Sequence, residues 1–256
     1  MIESAELIER WSNAERVLAL MPEHERQHHW NMGTWGERTQ CGTVACAAGH
    51  CGLDPWFRDR GFKLEFLDNG RDPEISDVPG FFGLEGSARI FYNAKKRPVE
   101  TVLTEIRDYE TELRQMEALS ARPGIPNIGQ EWPEEGGIFA GARLGRKNKP
   151  DYYLIVGPEH DDRLDWTKGN AWAAGLSVGG HSDFTLPDKS EGHALWDRVR
   201  DLFQSDYYWL RNQHAEYSDL AWTQHFASGY QIYWYKDDSI RCRSVRRIDI
   251  LSNSAI

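Results

Sequence analysis

The chain reads as an α+β protein, with a mainly helical N-terminal domain over residues 1–125 and an antiparallel sheet carrying two helices over residues 126–256. Three observations predict this. First, Leu220–Arg247 holds three short runs dense in aromatic and β-branched residues: Ala221–Phe226, Tyr230–Tyr235 and Ile240–Ile248. Ser228-Gly229 and Lys236-Asp237-Asp238-Ser239 separate them, which is the composition of a three-stranded antiparallel meander. Second, apolar residues recur at helical spacing in the first half. Third, the run Ala121–Gly129 alternates Pro and Gly with no apolar period and marks a junction near residue 125.

In the first half, Leu7, Ile8, Trp11, Ala14, Leu18 and Met21 share one side of a helix over residues 5–21, with Ser4 as N-cap. Gly42-Thr43 is read as the start of a second helix capped by Thr43, running through small residues to His50 and stopped by Gly52 and Asp54-Pro55. Phe62, Leu64 and Phe66 alternate as in a short strand, and a small helix is expected over Ser87–Tyr92. The longest helix starts at Arg97-Pro98 and runs to about Leu119, burying Val99, Val102, Leu103, Ile106, Leu113 and Met116.

The second half opens with strands at Gly137–Leu144 and Tyr152–Val156, turned by Arg146–Pro150. A helix capped by Thr167 carries Ala171, Trp172 and Leu176. After the extended Phe184–Asp188, a second helix over Glu191–Phe203 buries Leu195, Trp196, Val199, Leu202 and Phe203. Tyr207–Leu210 begins the sheet that the meander completes, and the first strand is expected to lie beside Ile240–Ile248.

Composition narrows the function classes. The net charge is −10, and no long basic run is present; the cluster Arg241, Arg243, Arg246, Arg247 is the one exception, so a nucleic-acid partner is not expected. No apolar stretch approaches the ~20 residues of a membrane span, and the N-terminus lacks the pattern of a signal peptide. Synthesis in the cytosol with free thiols is the expectation.

Two resemblances follow from motifs. Trp30-Asn31-Met32, Trp35 and Cys41-Gly42-Thr43-Val44-Ala45-Cys46-Ala47-Ala48-Gly49 resemble a pattern of small bacterial and phage proteins that share CGTxxCxAG; it brings no activity with it. The series Asp165-Trp166, Ala171-Trp172, Ser182–Pro187, Glu191, Tyr208-Trp209, Ala221-Trp222, Phe226, Gly229-Tyr230 and Arg243–Arg246 resembles the C-terminal domain of bacterial collagen-like adhesins. That resemblance covers about residues 136–248 and implies a C-type-lectin-like fold. Phe184-Thr185 stands where Trp-Arg is usual, and Leu210-Arg211 where Ser-Ser is usual. Both departures lie near the surface that binds ligands in such folds, so the resemblance carries a fold and not a ligand.

Residue types and spacing offer four kinds of chemistry. Cys41, Cys46, His50 and Cys51 include a Cys–His pair four apart on a helix, a spacing that can grip zinc, or place a thiol nucleophile beside His28, His29 or His50. The spacing is not a paired CxxC, and close helix packing explains Ala47-Ala48-Gly49 as well. A lectin-type calcium site would draw on Asp161, Asp162, Asp165, Asp237 and Asp238, but its usual loop signatures are missing. Chemistry of the formylglycine-generating type needs two cysteines in the second half, where only Cys242 lies. The fourth is recognition by aromatic and polar residues near one end of the sheet: Tyr208, Arg211, Gln213, His214, Tyr217, Tyr233 and Tyr235, with Tyr207 and Trp234 close by. Alternation would put Tyr230, Ile232 and Trp234 on one face and Tyr233 and Tyr235 on the other, with about half of such residues in the core. The expected function is therefore a non-catalytic binding protein for a protein or glycan, phage or prophage encoded, virion-associated or acting on a host protein. No cofactor is expected. A thiol- or zinc-dependent enzyme built on Cys41–Cys51 is the alternative.

Overall fold

The computed structural model describes residues 4–21, 37–39, 42–44, 50–52, 54–60, 62, 81–83, 90 and 98–250. Over these residues the protein is α+β, and its sheets are antiparallel. It divides into two compact units, residues 2–114 and residues 115–256 with Met1. The division falls inside the long helix, earlier than the Pro/Gly run suggests. The end of that helix belongs to the second core: Leu119 packs with Phe139, Ala142, Tyr153 and Ile155. Ser120 Oγ accepts the Ala142 N–H at 2.8 Å, and the Tyr153 hydroxyl donates to the Leu119 carbonyl at 3.2 Å.

In the first unit, α1 (Ser4–Ala19) buries Leu7, Ile8, Trp11, Ala14 and Leu18, and Met21 just past its end. Trp11 is fully buried, donates its indole N–H to the Phe82 carbonyl at 2.9 Å and meets the Tyr109 ring edge-on. Strands β1 (Glu37–Thr39) and β2 (Gly42–Val44) form a hairpin. Gly42-Thr43 therefore sits in a strand and does not start a helix; the adjoining β-branched Thr43 and Val44 favour extended backbone. Asp54 opens α2 (Pro55–Asp59): its carboxylate accepts the Trp56 N–H at 2.9 Å, and Pro55 takes the first helical position. The helical residues His50–Gly52 end before Asp54, as expected, and Asp-Pro also starts the next helix. The longest helix, α3 (Val99–Ser120), buries every residue of the expected stripe, and Tyr109 and Glu110 as well. The expected strand through Leu64 and Phe66 and most of the helix over Ser87–Tyr92 lie outside the described residues; Phe62 and Ile90 are buried.

The second unit begins with β3 (Glu131–Trp132), β4 (Gly137–Arg143) and β5 (Tyr152–Glu159). Lys147 and Asn148, both at positive φ, turn β4 into β5, with the Lys149 N–H reaching the Arg146 carbonyl; this is the backbone pattern of a primed hairpin turn. Helix α4 (Trp166–Ala174) is capped by Asp165, not Thr167: the Asp165 carboxylate accepts the Lys168 N–H at 2.8 Å. Helix α5 (Lys189–Val199) starts two residues earlier than expected because Asp188 and Glu191 form a reciprocal capping box. After it come β6 (Tyr207–Gln213), β7 (Leu220–His225), β8 (Gln231–Tyr235) and β9 (Arg243–Asp249).

Two sheets result, with orders β3-β4-β5-β9 and β6-β7-β8. The meander is thus β6-β7-β8, and the last strand leaves it. Ile240 and Arg241 make single bridges to Leu164 and Tyr208 as the chain crosses, and β9 then pairs with β5 from Arg243 to Asp249. The crossing puts Val245 and Ser244, both fully buried, beside the central strand of the other sheet. First and last strands share that sheet, but β5 lies between them. The core between the elements holds Ala173, Leu186, Trp209, Ala221, Ile240 and Cys242. Gly169 lets α4 approach this core: a Cβ there would stand 2.6 Å from the Cys242 sulfur.

Candidate functional site

The β6-β7-β8 sheet carries two different surfaces. Cross-strand partners place Tyr208, Leu210, Trp222, Gln224, Gln231 and Tyr233 on one face, and Tyr207, Trp209, Thr223, Ile232 and Trp234 on the other. Near β6 both faces are covered. Trp209 and Leu210 are fully buried, and Gly192 of α5 approaches Leu210, Gln224 and Gln231. On β8, Gln231 still donates to the Lys189 carbonyl of α5 at 2.7 Å, but Ile232, Tyr233, Trp234 and Tyr235 are exposed in succession, on both faces of the strand. Among the described residues the exposed large apolar side chains are Leu20 and then Tyr217, Tyr230, Ile232, Tyr233, Trp234 and Tyr235, these six being 39–59% exposed. Such a concentration of exposed rings on one hairpin marks a recognition surface.

The residues singled out from the sequence separate into three groups. Tyr208 is 1% exposed, so it is not part of any accessible surface. Its hydroxyl donates to Glu159 at 2.9 Å and accepts the Gln204 N–H at 3.0 Å, and burial pushes its ionisation up to about 12. Arg211 and Gln213 are held in place: Arg211 pairs with Asp188 at 2.8 Å, at the cap of α5, and Gln213 accepts from the Lys236 ammonium at 2.6 Å. The third group, His214, Tyr217 and Tyr233, comes together with Trp222. The His214 ring lies 5.1 Å from Tyr217, 5.9 Å from Trp222 and 4.7 Å from Tyr233, centroid to centroid. His214 Nδ1 accepts the N–H groups of Glu216 and Tyr217, both at 3.2 Å, which fixes the ring and leaves Nε2 as the protonated nitrogen. Tyr235 stands beside this group, 59% exposed.

Sequence reasoning missed two features. Tyr230 and Ile232 are exposed with Trp234, although alternation assigned one face of this strand to the core. The local pattern points the other way: Ile-Tyr-Trp-Tyr is apolar at consecutive positions, which is the mark of a strand buried on both faces, so nothing in it announces the exposure. Lys189 was also missed. Its ammonium sits 2.9 Å from the centre of the Trp222 ring, and no carboxylate pairs with it among the described residues. Burial pushes its ionisation down to about 8.

Arg241 and the β9 arginines Arg243, Arg246 and Arg247 are not an anion-binding patch. Arg241 meets Asp206 at 3.0 Å and Glu159 at 3.3 Å, and Arg243 meets Glu159 at 3.5 Å. Arg246 meets Asp183 at 2.5 Å and also Glu135. Arg247 takes both oxygens of Glu191. Each guanidinium is thus neutralised within the domain, and their spacing reflects strand geometry.

The metal and nucleophile candidates stand as follows. His50 and Cys51 are buried, while Cys41 and Cys46, with His28 and His29, lie outside the described residues. Asp165 caps α4 and pairs with Lys168 at 2.7 Å. Among the described residues no three His, Cys, Asp or Glu side chains converge as metal ligands. Burial pushes the Cys242 thiol up to about 12, so it is a packing residue at neutral pH. His225 Nδ1 lies 2.7 Å from Ser228 Oγ, a contact that closes the β7–β8 turn, where Gly229 supplies a φ of 80°. No helix among the described residues is long and apolar enough to cross a membrane. No family model matches this chain, and no curated protein matches it.

Proposed function

We propose that this chain is a binding protein that recognises a protein or glycan through the β6-β7-β8 sheet of a C-type-lectin-like second domain, in a phage or prophage setting. The single observation that carries the reading is the run of exposed rings on β8 and the loop before β7, in a domain whose other described large apolar side chains are buried or half-buried. Rigid tyrosines with few rotatable bonds supply contact area at small entropic cost, and His214 and Gln213 add hydrogen-bonding groups beside them. The fold assignment draws on the order of strands, two helices and strands, and on a closing strand that returns to the sheet of the first one.

The test is a comparison of wild type with Tyr217→Ala/Tyr235→Ala on an oligosaccharide array and in capture from host-cell extract followed by reconstitution with the purified captured protein. A ligand held by wild type and released by the double variant supports the reading. Equal retention by both proteins, or none by either, rejects it.

A further inference from the structure

The β8 edge itself specifies a partner more narrowly, given the binding role proposed above. Among the described residues, strand β8 is the last strand of its sheet and pairs only with β7. The His225 N–H reaches the Tyr230 carbonyl and the Lys236 N–H reaches the Asp219 carbonyl, both at 2.8 Å. That parity turns Tyr230, Ile232, Trp234 and Lys236 toward β7. It turns the N–H and C=O groups of Gln231 and Tyr233, and the N–H of Tyr235, away from the sheet. The outward groups recur at the spacing of a strand, ready for another backbone.

Nothing on β8 guards this edge. Natural edges are protected by charge, proline, a bulge or brevity. Gln231–Tyr235 contains no charged residue and no proline, and its register with β7 runs unbroken from Leu220↔Tyr235 to Gln224↔Gln231. Both β4–β5 and β6–β7 pairings, by contrast, contain a register shift.

Charge selects the occupant. The end of the edge where Lys236 joins Asp219 carries the carboxylates of Glu216, Asp219, Asp237 and Asp238, none ion-paired among the described residues. Lys236 at this end is already engaged with Gln213 and the Trp166 ring. A second copy of this chain, itself at −10, brings the same acids; a basic segment is the complementary one.

We propose that β8 accepts an extended segment of a partner polypeptide as an added antiparallel strand, with apolar side chains on alternate residues and Lys or Arg at its N-terminal end. The basic end then lies over the acidic loops, and the alternating side chains meet Tyr233 and Tyr235 on one face and Ile232 and Trp234 on the other. Backbone hydrogen bonds supply the register.

The test uses the full chain and a fluorescent peptide of three lysines followed by alternating valine and threonine. Its control is the same peptide with N-methyl groups on the alternate residues that face β8, which keeps charge and side chains but removes the donors. The peptide is expected to bind wild type, and to weaken about tenfold or more on N-methylation and in Tyr233→Pro, with a smaller loss in Tyr233→Ala. Proline at this outward position leaves the β7 ladder intact; should that variant not fold, the two peptides on wild type still decide. Equal binding of the methylated and plain peptides overturns the proposal, as does binding of neither. In the latter case, retention of a ligand that still depends on Tyr217 and Tyr235 means the edge proposal has failed while the binding role stands. A wild-type dimer in sedimentation that is lost in Tyr233→Pro, without peptide binding, assigns the edge to a second copy and likewise overturns it.

Discussion

Arg247 on β9 grips the fully buried Glu191 of α5 through two parallel hydrogen bonds, Nε to Oε1 and a terminal nitrogen to Oε2, both 2.6 Å. Glu191 also accepts the Tyr152 hydroxyl at 3.1 Å and the Asp188 N–H at 2.8 Å. One carboxylate therefore joins the last strand, the central strand and the start of α5. Glu191→Ala leaves the half-buried Arg247 guanidinium with only Asp188, 3.6 Å away, and removes half of the capping box, and is expected to cost about 2–4 kcal/mol. Glu191→Met/Arg247→Met removes both charges and should recover most of that loss. Urea unfolding followed by tryptophan fluorescence measures both; an additive double variant would show that the pair is not a unit.

Tyr208 is a core residue with a polar tip. Tyr208→Phe keeps the packing against Phe203 and Phe226 and loses the bonds to Glu159 and Gln204, for an expected cost of about 1–2 kcal/mol. Tyr208→Ala opens a cavity and should cost about 3–5 kcal/mol. Tyr208→Phe is expected to leave ligand retention unchanged, which separates this residue from the exposed tyrosines.

Tyr217 and Tyr235 contribute little to folding because each is more than half exposed. Tyr217→Ala and Tyr235→Ala should each shift stability by no more than about 0.5 kcal/mol. A larger loss in urea unfolding would place these rings in the fold rather than on a recognition surface.

Lys189 titrates below the ordinary lysine range. Its amine is pushed down by burial to about 8 from an ordinary 10.5. Between those values the unfolded chain holds more protons than the folded one, so the contribution of this group to stability rises with pH across that window, and its cost is full below about 8. After reductive methylation with labelled formaldehyde, one lysine resonance should titrate near pH 8 and vanish in Lys189→Met. The stability gained in Lys189→Met at pH 7 should shrink as pH climbs from 8 to 10; a gain that stays constant would rule out a proton-linked cost at this site.

Much of the fold was legible before any coordinates. All six residues of the α1 stripe and all six of the α3 stripe are buried, because an amphipathic helix writes its inner face into a single local period. The hairpin of β7 and β8 was legible for a similar reason, its turn being marked by Ser228-Gly229. The candidate site was only half legible. Tyr217, Tyr233 and Tyr235 are exposed, whereas Tyr208 has the same composition around it and is buried, and side-chain type does not tell the two apart.

What the sequence determined alone was most of the elements, the β1–β2 hairpin and β3 apart, and the mixed helix and antiparallel-sheet class, since propensity, periodicity and turn chemistry act over a few neighbouring residues. Only the tertiary structure decided which strand left the meander, which carboxylate met each arginine of β9, and which strand was left with rings exposed on both faces. Those outcomes depend on where residues far apart in the chain come to lie, and a strand carries the same local pattern whether a helix covers it or not.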